Sequence, residues 1–170
     1  MQGLWAVPWL MNFSGLGREA AAHHLLLMGG GMLVGFLAIA SGITRLAQRG
    51  VSPLSVLQAG MGMGLLATLL IVFGIGPSEP LWFCFGLVFS VGNLAYALLQ
   101  GYFAGALAGR VNTALNLAVF VGAFLMQWGF GAAVDVLQAA GHAPRDAYQI
   151  TFGGLLALQF VSWLWFLRGR

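Results

Sequence analysis

The chain has 170 residues, 60% of them hydrophobic and 6% charged, with a mean hydropathy of +0.90. A soluble domain covers its surface with about a quarter charged residues, so a soluble globular class is excluded. The seven basic residues are all arginine and face four acids for a formal charge of +3. So few groups speak to topology, and no basic patch with interleaved aromatics points to nucleic acid.

The chain opens with "MQGLWAVPWLMNF", an apolar stretch over residues 1–13 interrupted by Pro8. A membrane crossing needs about twenty apolar residues, so this stretch reads as a partial helix. Five further apolar segments follow, over residues 25–43, 53–75, 81–103, 113–134 and 148–167. The breaks between them are "SGITRLAQRGVSP", "GIGPSEP", "AGALAGRVN" and "QAAGHAPRDAYQ", all rich in Gly or Pro with polar and charged residues. Each segment is continuously apolar rather than alternating, which favours helices over a barrel. The expectation is an all-α membrane protein, with residues 1–170 forming one transmembrane domain, a six-helix bundle whose first helix is truncated.

Charge orients this bundle. Arg45, Arg49, Arg110, Arg168 and Arg170 fall on one side, and Arg18, Arg145 and the acids Glu19, Glu79, Asp135 and Asp146 on the other. The side with more arginine is expected to be cytoplasmic, which places the C-terminus inside. Trp163 and Trp165 near one end, and Trp82 and Tyr148 near the other, are expected in the interfacial aromatic belts. Twenty-six glycines include the spaced pairs Gly31/Gly35, Gly60/Gly64, Gly101/Gly105 and Gly105/Gly109, which allow close backbone approach between helices.

Polar residues within apolar segments mark either pairing or contact with water. At 100° per residue, Asn112, Asn116, Phe120 and Gln127 share one face, as do Asn93, Tyr96 and Gln100 on the preceding segment. Gln2, Trp5, Trp9 and Asn12 share a third face if the opening stretch is helical. Two arrangements stay open for these amide-and-ring stripes. One is a water-accessible cavity for a polar or amphiphilic solute; the other is pairing of the amides with one another to hold the bundle. No carboxylate stands in mid-segment, and Asp135 reads as a helix-end residue facing water. His23, His24, Glu19, His142 and Asp146 lack the spacing of a metal site. Ser14 in "NFSGLG" has no His or acid placed to activate it. Cys84 reads as a buried, inert thiol. Neither an enzyme nor a cofactor is expected.

Three stretches resemble the C-terminal half of a bacterial major facilitator superfamily transporter. "QGLWAVPWLMNFSGL" is similar to the outer end of that half's first helix, and "GRVNTALNLAVFVGAFLMQWGFGAAVD" to its fifth. "GFLAIASGITRLAQRGVSP" resembles the family's cytoplasmic loop signature, with Gly42, Arg45, Arg49 and Gly50 matching and Thr44 where the family places an acid. The resemblance covers nearly the whole chain. It implies secondary active transport of a small solute by alternating access in the bacterial inner membrane, with two six-helix halves rocking around a central site. It also implies that Met1 falls near mid-membrane, so the chain is expected to be a fragment or an internally initiated half.

On this reading the solute contacts are Trp5, Asn93, Tyr96, Gln100, Asn116, Phe120 and Gln127, and Gly42, Arg45, Arg49 and Gly50 form a conformational loop. The expected partners are a small-molecule solute, membrane lipid, and a missing N-terminal half or a second copy. The alternative is a small multipass protein acting as a homodimeric carrier or pore.

Overall fold

The computed structural model describes residues 5–103 and 105–169, and within them the architecture is all helical. Helix α1 spans Ala6–Asn12, α2 Arg18–Gln48 and α3 Pro53–Phe73. Helix α4, Ser78–Phe89, passes through a 3₁₀ turn at Ser90–Asn93 into α5, Leu94–Gln100. A second 3₁₀ turn at Gly105–Leu107 leads into α6, Ala108–Ala139, and α7 spans Pro144–Arg168. Among the described residues five paths are long and apolar enough to cross a membrane: α2, α3, α4 with α5, α6 with its leading turn, and α7. They are those of a multipass membrane protein.

The long helices overrun their apolar windows because polar flanks suit helix ends. α2 begins seven residues before Leu25, with Glu19 in its first turn and Arg45 in its last, each opposing the helix dipole. α7 does the same with Pro144 at its start, Asp146 in the first turn and Arg168 in the last. α3 opens on a Ser52 cap whose side chain accepts from the Ser55 N–H at 3.0 Å. It closes at Gly74 with φ of 64°, a conformation that favours glycine. Gly42 and Arg45 therefore stand inside α2, and only Arg49 and Gly50 form the turn read as a loop from the sequence.

The α2–α4 contact is the most extensive between helices. Gly31 lies against the Phe83 carbonyl oxygen, Gly35 against that of Leu87, and Gly86 against that of Met28. Any side chain at these positions would strike backbone, so the Gly31/Gly35 pair sits where two helices touch through their main chains. Gly60 meets Val91. The Gly101/Gly105/Gly109 series does not act this way. Gly101 follows α5, Gly105 begins a 3₁₀ turn, and neither Gly105 nor Gly109 has any atom near its Cβ direction.

The core lies at the end of the bundle that carries Glu19, Glu79 and Asp146, termed the acidic end below. Ala6, Trp9 and Leu10 of α1 are buried there with Ala21, Val72, Trp82, Phe85, Phe130 and Phe152. Trp9 stacks on Phe13 at 4.1 Å and meets Phe152 edge-on at 4.7 Å. Trp82 and Tyr148 belong to this core, which corrects their expected place in an interfacial belt: both are turned inward, Trp82 with 1% of its surface exposed. Trp165 does face outward, and Trp163 donates its indole N–H to the Gln58 carbonyl at 3.1 Å. Cys84 is exposed on α4, not buried, because that helix turns its neighbours Trp82, Phe85 and Gly86 to the core.

Candidate functional site

Helix α6 carries the site. Along most of its length the chain leaves it uncovered, and only Phe130 and Val134 are buried. Its spaced residues Asn112, Asn116, Phe120 and Gln127 project along one side, as 3.6 residues per turn requires.

The two amides nearer the arginine-bearing end are held by α5. The Gln100 side-chain N–H donates to Asn112 Oδ1 at 2.8 Å, and the Tyr96 hydroxyl donates to Asn116 Oδ1 at 2.7 Å. These bonds join two helices separated in sequence by one short turn, and they fix the rotation of α6 against α5. Asn93 is exposed at the end of the 3₁₀ turn and belongs to neither pair. The Ser90–Asn93 turn is itself held by the Ser90 hydroxyl donating to the Leu87 carbonyl at 2.7 Å.

Toward the acidic end the same face of α6 opens into a cavity of about 580 Å³. Trp5, Phe120, Phe124, Gln127, Trp128 and Asp135 line it. The Trp5 indole N–H donates to the Gln127 backbone carbonyl at 3.0 Å, and its ring lies 4.9 Å from that of Phe130. Gly131 makes this placement possible: a Cβ there would stand 3.0 Å from the Trp5 ring. The Gln127 side chain is left to the cavity, since the contact to Trp5 uses its backbone. The volume is that of sites for small organic ligands, and the lining is of the usual kind, mostly apolar with few polar groups.

Six of the seven site residues expected from sequence divide into two sets, and Asn93 joins neither. Trp5, Phe120 and Gln127 surround the cavity, while Tyr96, Gln100 and Asn116 are engaged in helix-to-helix hydrogen bonds. Trp9, read as a cavity face, is buried in the core, and Asn12 turns back to donate to the Pro8 carbonyl at 2.8 Å. Gln2 lies outside the described residues. Phe124, Trp128 and Asp135 were not singled out as site residues from sequence. Phe124 and Trp128 differ from the amides in giving no polar signal within an apolar run. Asp135 is exposed about one turn before the end of α6 at Ala139, as expected of a helix-end residue facing water, and it also stands on the cavity wall.

A second recess of about 380 Å³ lies between α3, α4 and α7. Its hydroxyls are already used: Thr68 donates to the Gly64 carbonyl and Ser162 to that of Leu158. No three His, Cys, Asp or Glu side chains gather as a metal site among the described residues. His23 instead stands 3.8 Å from Glu79, joining the starts of α2 and α4. No family model, curated protein or solved structure matches this chain.

Proposed function

We propose that the chain is one half of a secondary transporter of the major facilitator type, carrying a small solute across the bacterial inner membrane by alternating access. The observation that carries this reading is the uncovered face of α6. A helix of membrane-crossing length presents an aromatic-lined cavity with an amide and a carboxylate on a side that the described residues leave open. Facing hydrocarbon, such groups are costly; facing a water-filled path between two helical bodies, they serve binding. The resemblance of the three stretches quoted above supports the same reading.

In this arrangement a second helical body, either another six-helix half or a second copy of this chain, faces α6 across the path. The hydrogen bonds of α5 to α6 keep the wall of this half rigid while the halves rock. Arg45, Arg49, Arg110 and Arg168 mark the cytoplasmic side. Arg49 and Gly50 at the α2–α3 turn act on conformation and topology, not on solute.

The test is uptake by the assembled transporter with Phe120→Ala or Gln127→Leu, both on the cavity wall. Loss of uptake at unchanged abundance in the membrane is the expected result. Full uptake with both residues replaced would overturn the assignment of this face to the solute path.

A further inference from the structure

The cavity on α6 combines aromatic faces with one carboxylate, and we propose that its ligand is a hydrophobic organic cation. This inference rests on the reading of that cavity as a solute site. Trp5, Phe120, Phe124 and Trp128 supply four ring systems around a space of about 580 Å³, and Asp135 supplies a formal negative charge on its wall. Aromatic faces attract cations through the ring quadrupole, and they do so most strongly where water is displaced.

The charge balance points the same way. Among the described residues no arginine lines the cavity, and no basic side chain pairs with Asp135. Arg145, the basic residue at the start of α7, is engaged elsewhere, with its guanidinium 4.9 Å from the Phe13 ring centre. An anionic solute would bring like charge to Asp135 with nothing to offset it. A sugar would find one amide side chain and an otherwise apolar wall, too few partners for its hydroxyls. A cation carried on an apolar skeleton satisfies both parts of the lining: its charge meets Asp135 and the ring faces, and its skeleton covers the apolar surface. Asp135 stands about one turn from the end of α6, within reach of lipid head groups as well as dissolved solutes. A quaternary ammonium from either source has the required chemistry.

The experiment measures displaceable binding of radiolabelled tetraphenylphosphonium to the purified 170-residue chain in phosphatidylglycerol nanodiscs, with tetraphenylborate as the anion of matched shape. The expected result is saturable binding of the cation alone. Asp135→Asn is expected to weaken it by at least about tenfold, and Trp128→Ala to weaken it too. Trp165→Ala, outside the cavity, leaves it unchanged. Repeating the assay in phosphatidylcholine nanodiscs separates the two sources: lost binding there identifies a lipid head group as the competing cation, and unchanged binding a dissolved one. Equal binding of tetraphenylborate, or full binding by Asp135→Asn, overturns the cation assignment while leaving the cavity as a solute site. Absence of saturable binding in phosphatidylglycerol overturns the proposal outright, and the uptake test with Phe120→Ala and Gln127→Leu then decides the transporter reading separately.

Discussion

The α2–α4 contact makes a quantitative prediction. In Gly31→Ala the new methyl points at the Phe83 carbonyl oxygen, and in Gly86→Ala at that of Met28. A carbon normally stands about 3.3–3.6 Å from a carbonyl oxygen in such contacts, so the helices must separate by on the order of 1 Å. A gap of that size forfeits roughly a quarter to a half of each atomic contact across the interface. Overpacking of this kind costs about 1–3 kcal/mol, against about 0.8–1 kcal/mol gained from the better helix propensity of Ala.

Each single substitution is therefore expected to destabilise by up to about 2 kcal/mol, and by about 1–3 kcal/mol relative to a Gly→Ala change in open space that keeps the propensity gain. The double variant should lose much less than the sum, because one separation of the helices relieves both clashes. Gly122→Ala on α6, with open space around it, gains stability or changes nothing. Reversible unfolding of the purified chain by dodecyl sulfate in mixed micelles, followed by far-ultraviolet circular dichroism, reads all four. Additive losses, or a Gly31→Ala variant as stable as Gly122→Ala, would refute the backbone-contact account.

Two further outcomes are expected. A double-mutant cycle of Tyr96→Phe with Asn116→Leu, read by the same unfolding assay, should give a coupling of about 0.6 kcal/mol, the average for hydrogen bonds between membrane helices. Zero coupling would show that the 2.7 Å bond does not hold α5 to α6. In a cysteine-free background, Ser78→Cys at the start of α4 should react with an impermeant maleimide from outside intact cells, and Gln48→Cys at the end of α2 only after permeabilisation. The reverse pattern would invert the orientation drawn from the arginines.

The helical class and the existence of five membrane-length helices were legible because apolar runs of about twenty residues bounded by Gly, Pro and charge leave little else to form. Their ends were not. Glu19 and Arg45 look like loop residues in a hydropathy count, yet an acid in the first turn and an arginine in the last are favourable in a helix. The 3₁₀ break at Ser90–Asn93 was not read from "FSVGNLAY", whose Ser, Gly and Asn are compatible with a continuous helix; the turn depends on the Ser90 bond and on the close approach of α2 at Gly35.

For the cavity lining, helical spacing pointed to Trp5, Phe120 and Gln127 because each shares a face with amides, which stand out within apolar sequence. It did not separate them from Tyr96, Gln100 and Asn116, which share the same periodicity. Only the packing of α5 on α6 decides which amides bond to each other. Trp82 was misplaced because an aromatic near a helix end looks alike whether it faces lipid or core.

The most direct test of the central claim is water access to the α6 face. With Cys84→Ser as background, Gln127→Cys and Leu125→Cys are each exposed to a membrane-impermeant cationic methanethiosulfonate in sealed vesicles of both orientations. Two residues apart on a helix, these positions point about 160° from each other. The account predicts that the thiol at position 127 reacts from the aqueous phase and that the one at position 125 does not. A protected thiol at 127, or equal reaction at both positions, would contradict a solute path along this face.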